Sequence, residues 1–267
     1  MLQDVTRVLR LTALMARQEI ISPEGLRQDG RRATELRSFS SDMGILPFGE
    51  IDGSAIFEIG NTKVLATVVG PREALEKTSI ASETDSGYLS VKIHAAAFSS
   101  TSGERRARND RRLSEWSRIV EQAFTSSVMS ESFPRSQVDV FVEVLNADGG
   151  VLAAIVNAIN LALIDAGVPM RDYVVAVCVA YVQNTAVLDP NRQEESGNSP
   201  TITFAFLPRT GQVVLVNAEP RMASEKLGSL FSIASGGANK IFEKMDSDTV
   251  RPRLACLFGQ RQALLIK

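Results

Sequence analysis

The stretch that decides the fold runs Val138-Asp139-Val140-Phe141-Val142-Glu143-Val144-Leu145-Asn146-Ala147-Asp148-Gly149-Gly150-Val151-Leu152 and continues, almost wholly apolar, to Asp165. Valines at 138, 140, 142 and 144 alternate with Asp139, Phe141, Glu143 and Leu145, the period-2 signature of a strand with two different faces. Two glycines then turn the chain straight into a helix over 151–165. A glycine pair between a strand and a helix start leaves backbone N–H groups aimed outward, where the helix dipole also favours negative charge. The turn is a natural seat for a phosphate, but Val151 and Leu152 bring neither a side-chain donor nor a charge to it. The same pattern is that of a tight strand-to-helix turn with no ligand.

Composition sets the bounds. A chain of 267 residues can bury a substantial core, and 44% hydrophobic and 22% charged residues are ordinary for a globular protein. With no visible repeat and no linker rich in Pro, Gly or Ser, the chain reads as one α+β domain over 27–245, with extensions at 1–26 and 246–267. A net charge of −2 gives no global attraction to nucleic acid or to an anionic membrane, so RNA binding would need a local patch. Cys178 and Cys256 form neither a zinc spacing nor a disulfide framework, which fits a reducing compartment. The single histidine, His94, rules out any mechanism needing two imidazoles and reads as structural. No apolar stretch is long enough to span a bilayer, so no membrane partner is expected. The first 18 residues carry Arg7, Arg10 and Arg17 against Asp4 but lack a serine cluster, so a packing helix or disordered arm is expected there ahead of a targeting peptide.

Outside the central stretch, residues 27–32 form a polar run with a turn, expected on the surface. Strands are expected over 53–57 and 63–69, joined by a hairpin at Gly60 and Asn61. A polar loop spans 73–87, and the sheet resumes over 88–98. Glu104, Arg105, Arg106, Arg108, Asp110, Arg111 and Arg112 then set five arginines against two acids. The helix that follows places Leu113, Trp116, Val120 and Ala123 on one face, so Arg111 and Arg112 stand at its start, where a cation opposes the dipole unless an anion or solvent compensates. Further strands are expected over 173–182, 185–188, 201–207 and 212–216, with a polar loop over 190–200 bearing Glu194 and Glu195. A last helix is expected near 222–242, weakened by Gly236 and Gly237, and residues from 250 on read as either strand or extension.

Taken together, these residues resemble the RNase PH family. The likeness covers 27–242 and rests on 27–32 with Glu35, Leu36 and Arg37; on 52–70 with Gly60, Asn61, Thr62 and Lys63; on 134–150 with Ala147, Asp148, Gly149 and Gly150; and on 165–172. It implies an RNase PH-like α+β fold of mixed sheets packed with helices, in subunits that degrade RNA from its 3′ end with phosphate as nucleophile. That chemistry needs a phosphate neutralised mainly by arginine, a fixed RNA backbone, and carboxylates positioning a divalent ion. In phosphorolytic members the glycine pair is followed by Thr or Ser and then by the phosphate-binding Arg, positions held here by Val151 and Leu152. Removing even one oxyanion donor costs about 10² to 10³ in rate, so negligible activity is expected from the site Gly149, Gly150, Val151, Leu152, Asp189 and Glu195. The family's metal-linked acids fall on Asp189 and Glu195, the second longer than the usual Asp. They read as weak magnesium ligands or as a solvated acidic loop, and no cofactor is expected.

The family's RNA-contacting arginine pair falls on Arg111 and Arg112, with Arg108 and Arg135 as further basic candidates; Arg135 reads equally as an ion-pair partner within the fold. The resemblance therefore implies a non-catalytic, RNA-binding scaffold in a hetero-hexameric ring of RNase PH-like exosome subunits, with S1/KH cap subunits and a separate hydrolytic exoribonuclease as partners, in nucleus, nucleolus and cytoplasm. An active phosphate-dependent exoribonuclease and a protein-interaction module that never touches RNA are the competing readings.

Overall fold

In a computed structural model of the protein, the described residues are 21–265 apart from 23, 48, 50, 74–86, 100–109, 184, 197, 198 and 220–226. Their strands form two sheets. The first holds β1 (Phe39–Met43), β2 (Gly53–Ile59), β3 (Thr62–Glu73), β4 (Tyr88–Ala95) and β5 (Ser136–Asn146) in the order β1-β2-β3-β5-β4. The second holds β6 (Val175–Val182), β7 (Thr185–Leu188), β8 (Thr201–Leu207) and β9 (Gln212–Glu219) in the order β7-β6-β8-β9. Only β4 and β5 pair in parallel. The helices are α1 (Arg111–Ser127), α2 (Val151–Asp165), the single turn α3 (Arg192–Ser196), α4 (Leu227–Met245) and α5 (Arg251–Leu265). This is the α+β architecture of mixed sheets and helices that the sequence implies.

The helix α2 lies between the sheets, on β2 and β3 of one and β6 of the other. Its sequence requires this, because a helix apolar on every side must be covered on every side; 13 of its 15 residues are buried. Its asparagines tie it to the second sheet: Asn157 donates to the Ala176 carbonyl at 3.0 Å and accepts from its N–H at 2.8 Å. Asn160 accepts from the Val174 N–H at 3.0 Å, pinning the start of β6 to the helix. Gly53 lets β2 press onto the far end of α2, for a Cβ there would stand 2.4 Å from the Ala162 carbonyl oxygen.

The hairpin at Gly60 and Asn61 forms as expected, with Gly60 at φ +55°. Other expectations need correction. Residues 27–32 are not simply a surface run: Arg27 is 3% exposed. The stretch 190–200 is not a solvated loop but contains α3, with Glu194 buried. Strand β1 escapes the sequence pattern because Ser40, Ser41 and Asp42 make it polar. Helix α4 runs unbroken through Gly236 and Gly237, and Gly237 is a close approach, since a Cβ would meet Leu188 at 2.9 Å. The ambiguous tail is helical: a π-turn at Asp246–Val250 leads into α5. Beside it, Lys244 Nζ donates to the Phe39 carbonyl at 2.8 Å and Thr249 Oγ1 to the Ser41 carbonyl at 3.0 Å, both on β1. The N-terminal arm and nearly all of the expected loop over 73–87 lie outside the described residues.

Candidate nucleic-acid and anion site

The turn from β5 into α2 is held by other parts of the protein. Gly149 and Gly150 both have positive φ, +83° and +60°. At Gly149 a Cβ would also stand 2.5 Å from the Pro190 carbonyl oxygen, so only glycine fits. The β2–β3 hairpin grips the turn from one side: Thr62 Oγ1 donates to the Gly149 carbonyl at 2.8 Å and accepts from the Asp148 N–H at 3.1 Å, and Asn61 Nδ2 reaches Asp148 Oδ2 at 2.9 Å.

Arg37 grips it from the other side. Its Nη1 donates to the Asp148 carbonyl at 2.6 Å and its Nη2 to the Gly149 carbonyl at 3.2 Å. The same guanidinium embraces Asp189, Nε to Oδ2 at 2.8 Å and Nη2 to Oδ1 at 2.7 Å, while the Arg37 backbone N–H adds a third bond at 3.0 Å. Burial alone would lower the Arg37 guanidinium; the hydrogen bond and charge of Asp189 raise it instead, so it stays a cation. Behind this pair, the buried Arg27 binds both oxygens of Glu194 and the carbonyls of Leu188 and Asp189. The sequence reading lists Arg37 only as part of a family stretch and treats Glu194 as a loop acid. Their spacing of more than 150 residues from their partners hides the pairing.

Both carboxylates at the metal-linked positions are engaged within the fold. Asp189 spends both oxygens on Arg37, and Glu195 turns Oε1 to the Gly150 N–H at 2.7 Å. Among the described residues no group of three or more His, Cys, Asp or Glu side chains could hold a metal ion. With Asp189 bonded to Arg37 through both oxygens, the pair leaves few free lone pairs for a six-oxygen cation such as magnesium.

A cavity of about 590 Å³ opens over the turn, lined by residues that include Gly149, Gly150, Val151, Leu152, Arg112, Arg192, Glu195 and Glu219. Leu152 is 4% exposed and belongs to the core. Two arginines and two glutamates line the cavity, so its formal charge sums to zero. Arg112 leans across it, its guanidinium 4.7 Å from the Trp116 ring and its Nη2 3.1 Å from Glu219 Oε2. Cys178, at the floor, has its thiol pushed up by burial, which keeps it protonated and un-nucleophilic.

The structure thus gathers Gly149, Gly150, Val151, Leu152, Glu195 and Arg112 around one cavity, with Asp189 just beneath. Arg111, in the same first turn of α1, is 92% exposed and pairs with Glu115 at 2.9 Å, away from the cavity wall. Solvent and these glutamates answer the unfavourable helix dipole, and Asp110 caps the helix by accepting from the Arg112 N–H. Arg135 is exposed at the opposite end of β5, at φ +57°. An 11-residue strand spans roughly 35 Å, so Arg135 cannot share a site with the glycine turn. Arg108 lies outside the described residues. Arg192 and Glu219 are lining residues that the sequence reading does not single out, because one sits in a presumed loop and the other just past the expected strand end.

Two family models match: "3' exoribonuclease family, domain 1" over residues 35–169 and "3' exoribonuclease family, domain 2" over residues 172–234. Among similar proteins, the exosome complex component RRP41 homolog of Arabidopsis thaliana is 39% identical over 227 residues, 85% of this chain and 92% of that protein. Exosome complex component RRP41 of Homo sapiens is 38% identical over 232 residues, covering 87% and 94%. Exosome complex component ski6 of Schizosaccharomyces pombe is 38% identical over 246 residues, covering 91% and 100%. Of solved structures, rice (Oryza sativa) Rrp46 matches with a TM-score of 0.72 at 23% identity, covering 82% of this chain and 98% of that one. A chain of the Archaeoglobus fulgidus exosome, solved with RNA bound to the active site, matches with a TM-score of 0.70 at 24% identity, covering 91% and 99%. With both family domains matched in order and relatives this similar along nearly their whole length, the chain belongs to the RNase PH family of 3′ exoribonucleases.

Proposed function

We propose that this protein is a ring subunit of an exosome-type complex that binds and channels RNA for 3′-to-5′ processing and decay without itself performing phosphorolysis. The ring role is supported by the names of the relatives, exosome components covered over 91% or more of their length. The loss of chemistry rests on one observation: the helix start that would cradle the attacking phosphate presents Val151 and the core-buried Leu152. A phosphate dianion there would face apolar side chains in a cavity whose own charges cancel, and desolvating a charge without a partner is strongly unfavourable. The exposed Arg111 and Arg112 remain placed to hold phosphodiesters by charge alone, as a channel accepting many sequences requires. Other RNase PH-like subunits would complete the ring, S1/KH cap subunits would sit on it, and a separate hydrolytic nuclease would finish degradation, in nucleus, nucleolus and cytoplasm.

The test incubates the purified chain, alone and in its native assembly, with labelled RNA bearing an unstructured 3′ end, magnesium, and phosphate or none. Phosphate-independent decay confined to the assembly is expected. Phosphate-dependent release of nucleoside diphosphates by the chain itself would overturn the reading.

A further inference from the structure

The helix start already has an anion bonded to it. Glu195, delivered by α3, places Oε1 2.7 Å from the Gly150 N–H, the backbone donor at the mouth of α2. An Asp at this position would hold its carboxylate one methylene further back on the same backbone, so the length of Glu is what permits the bond. Two of the nearby arginines are paired with other acids, Arg37 with Asp189 and Arg112 with Glu219, while Arg192 also lines the cavity. We propose that Glu195 is the cavity's own anion, a specificity-determining residue that closes the glycine turn to inorganic phosphate, separately from the changes at Val151 and Leu152.

The chemistry supports a competitive role. A free phosphate can use the Gly150 N–H only by displacing a carboxylate already tethered there, and two anions within about 4 Å repel strongly in a partly desolvated site. The groups facing Glu195 are the Gly150 N–H from α2, Arg112 from α1, Arg37 from the segment before β1, and Asp189 from the end of β7. Burial raises the Glu195 carboxyl above the ordinary glutamate value, against the Gly150 bond and the two arginines, which lower it. Restoring Thr and Arg at 151 and 152 would therefore recover only part of a phosphate site.

The inference rests on reading the cavity as a degenerate phosphate site, and its tests use readouts other than turnover. In the full chain, the Gly150 amide proton is expected to move upfield in both Glu195→Ala and Glu195→Asp, since each loses the short charged acceptor. An amide resonance unmoved in both variants would overturn the proposal. Calorimetry with inorganic phosphate then compares V151T/L152R with V151T/L152R/E195A. At least tenfold tighter binding in the triple variant is expected; equal affinity in the two would also overturn it. Diphosphate release by the unmodified chain would refute the proposed function while leaving the amide experiment to judge Glu195 by itself.

Discussion

Replacing Arg37 with Ala should be among the most damaging single changes in this chain. The guanidinium is 8% exposed on its side chain and makes four hydrogen bonds, two to Asp189 and one each to the carbonyls of Asp148 and Gly149. Truncation leaves Asp189, 4% exposed, facing the site of a lost cation. Removing one partner of a buried pair typically costs about 3–5 kcal/mol. Two features put the expected loss at the lower end: the backbone N–H of residue 37 still reaches Oδ2 at 3.0 Å, and Arg31 stands 3.7 Å away. A loss of about 3 kcal/mol lowers the melting temperature of a chain near this size by about 6–12 °C. Urea unfolding of Arg37→Ala, Asp189→Asn and the double variant forms a cycle. The double should be less destabilised than the sum of the singles by about 1 kcal/mol or more, because removing both charges removes the orphan. A loss below about 0.5 kcal/mol in Arg37→Ala, the range of ordinary surface substitutions, or strict additivity would refute the reasoning.

Other outcomes follow from the same geometry. Because Glu195 has its carboxyl raised in the fold, the native state holds more protons than the unfolded state between the ordinary glutamate value and the raised one, so stability falls as pH rises through that window; Glu195→Gln should flatten this fall, as measured by urea midpoints across the window. Arg112→Glu should weaken single-stranded RNA binding and lower the salt dependence by a log–log slope of about 0.7 for the lost contact, with Arg111→Glu adding to it; unaltered crosslinking in both would favour a module that never touches RNA. Gly53→Ala should destabilise by about 1–3 kcal/mol or more, since its Cβ would meet backbone atoms of Ala162 and Ala166 at 2.4 and 2.5 Å; a neutral unfolding midpoint would contradict that packing.

What could be read from sequence was what periodicity and turn chemistry write locally. The alternation at 138–144, the glycine pair and the apolar run after it specify β5, the turn and α2, and the hairpin glycine at 60 announces its strands. The site was legible where it is contiguous, from Gly149 to Leu152. It was illegible where it depends on side chains arriving from far along the chain. Arg27 and Glu194 look like two solvated charges because nothing local says that residues 167 positions apart fold together. Glu195 reads as a weak magnesium ligand or a loop acid, because nothing local says that it reaches the Gly150 amide. Strand β1 is hidden because half its face is serine and aspartate, and only its pairing with β2 makes it a strand.

The side-chain donors over β1 also bear on how copies of this chain avoid one another. A terminal strand with open carbonyls invites a second chain to add on, yet Phe39 and Ser41 already offer theirs to Lys244 and Thr249. Replacing Lys244 and Thr249 with Ala would uncover that edge while leaving Met245 and Val250 in the core, and would incline the folded molecule to polymerise strand by strand. The C-terminal segment thus works as a guard on the first sheet, and a variant that precipitates for want of those two donors would have lost its guard and not its core.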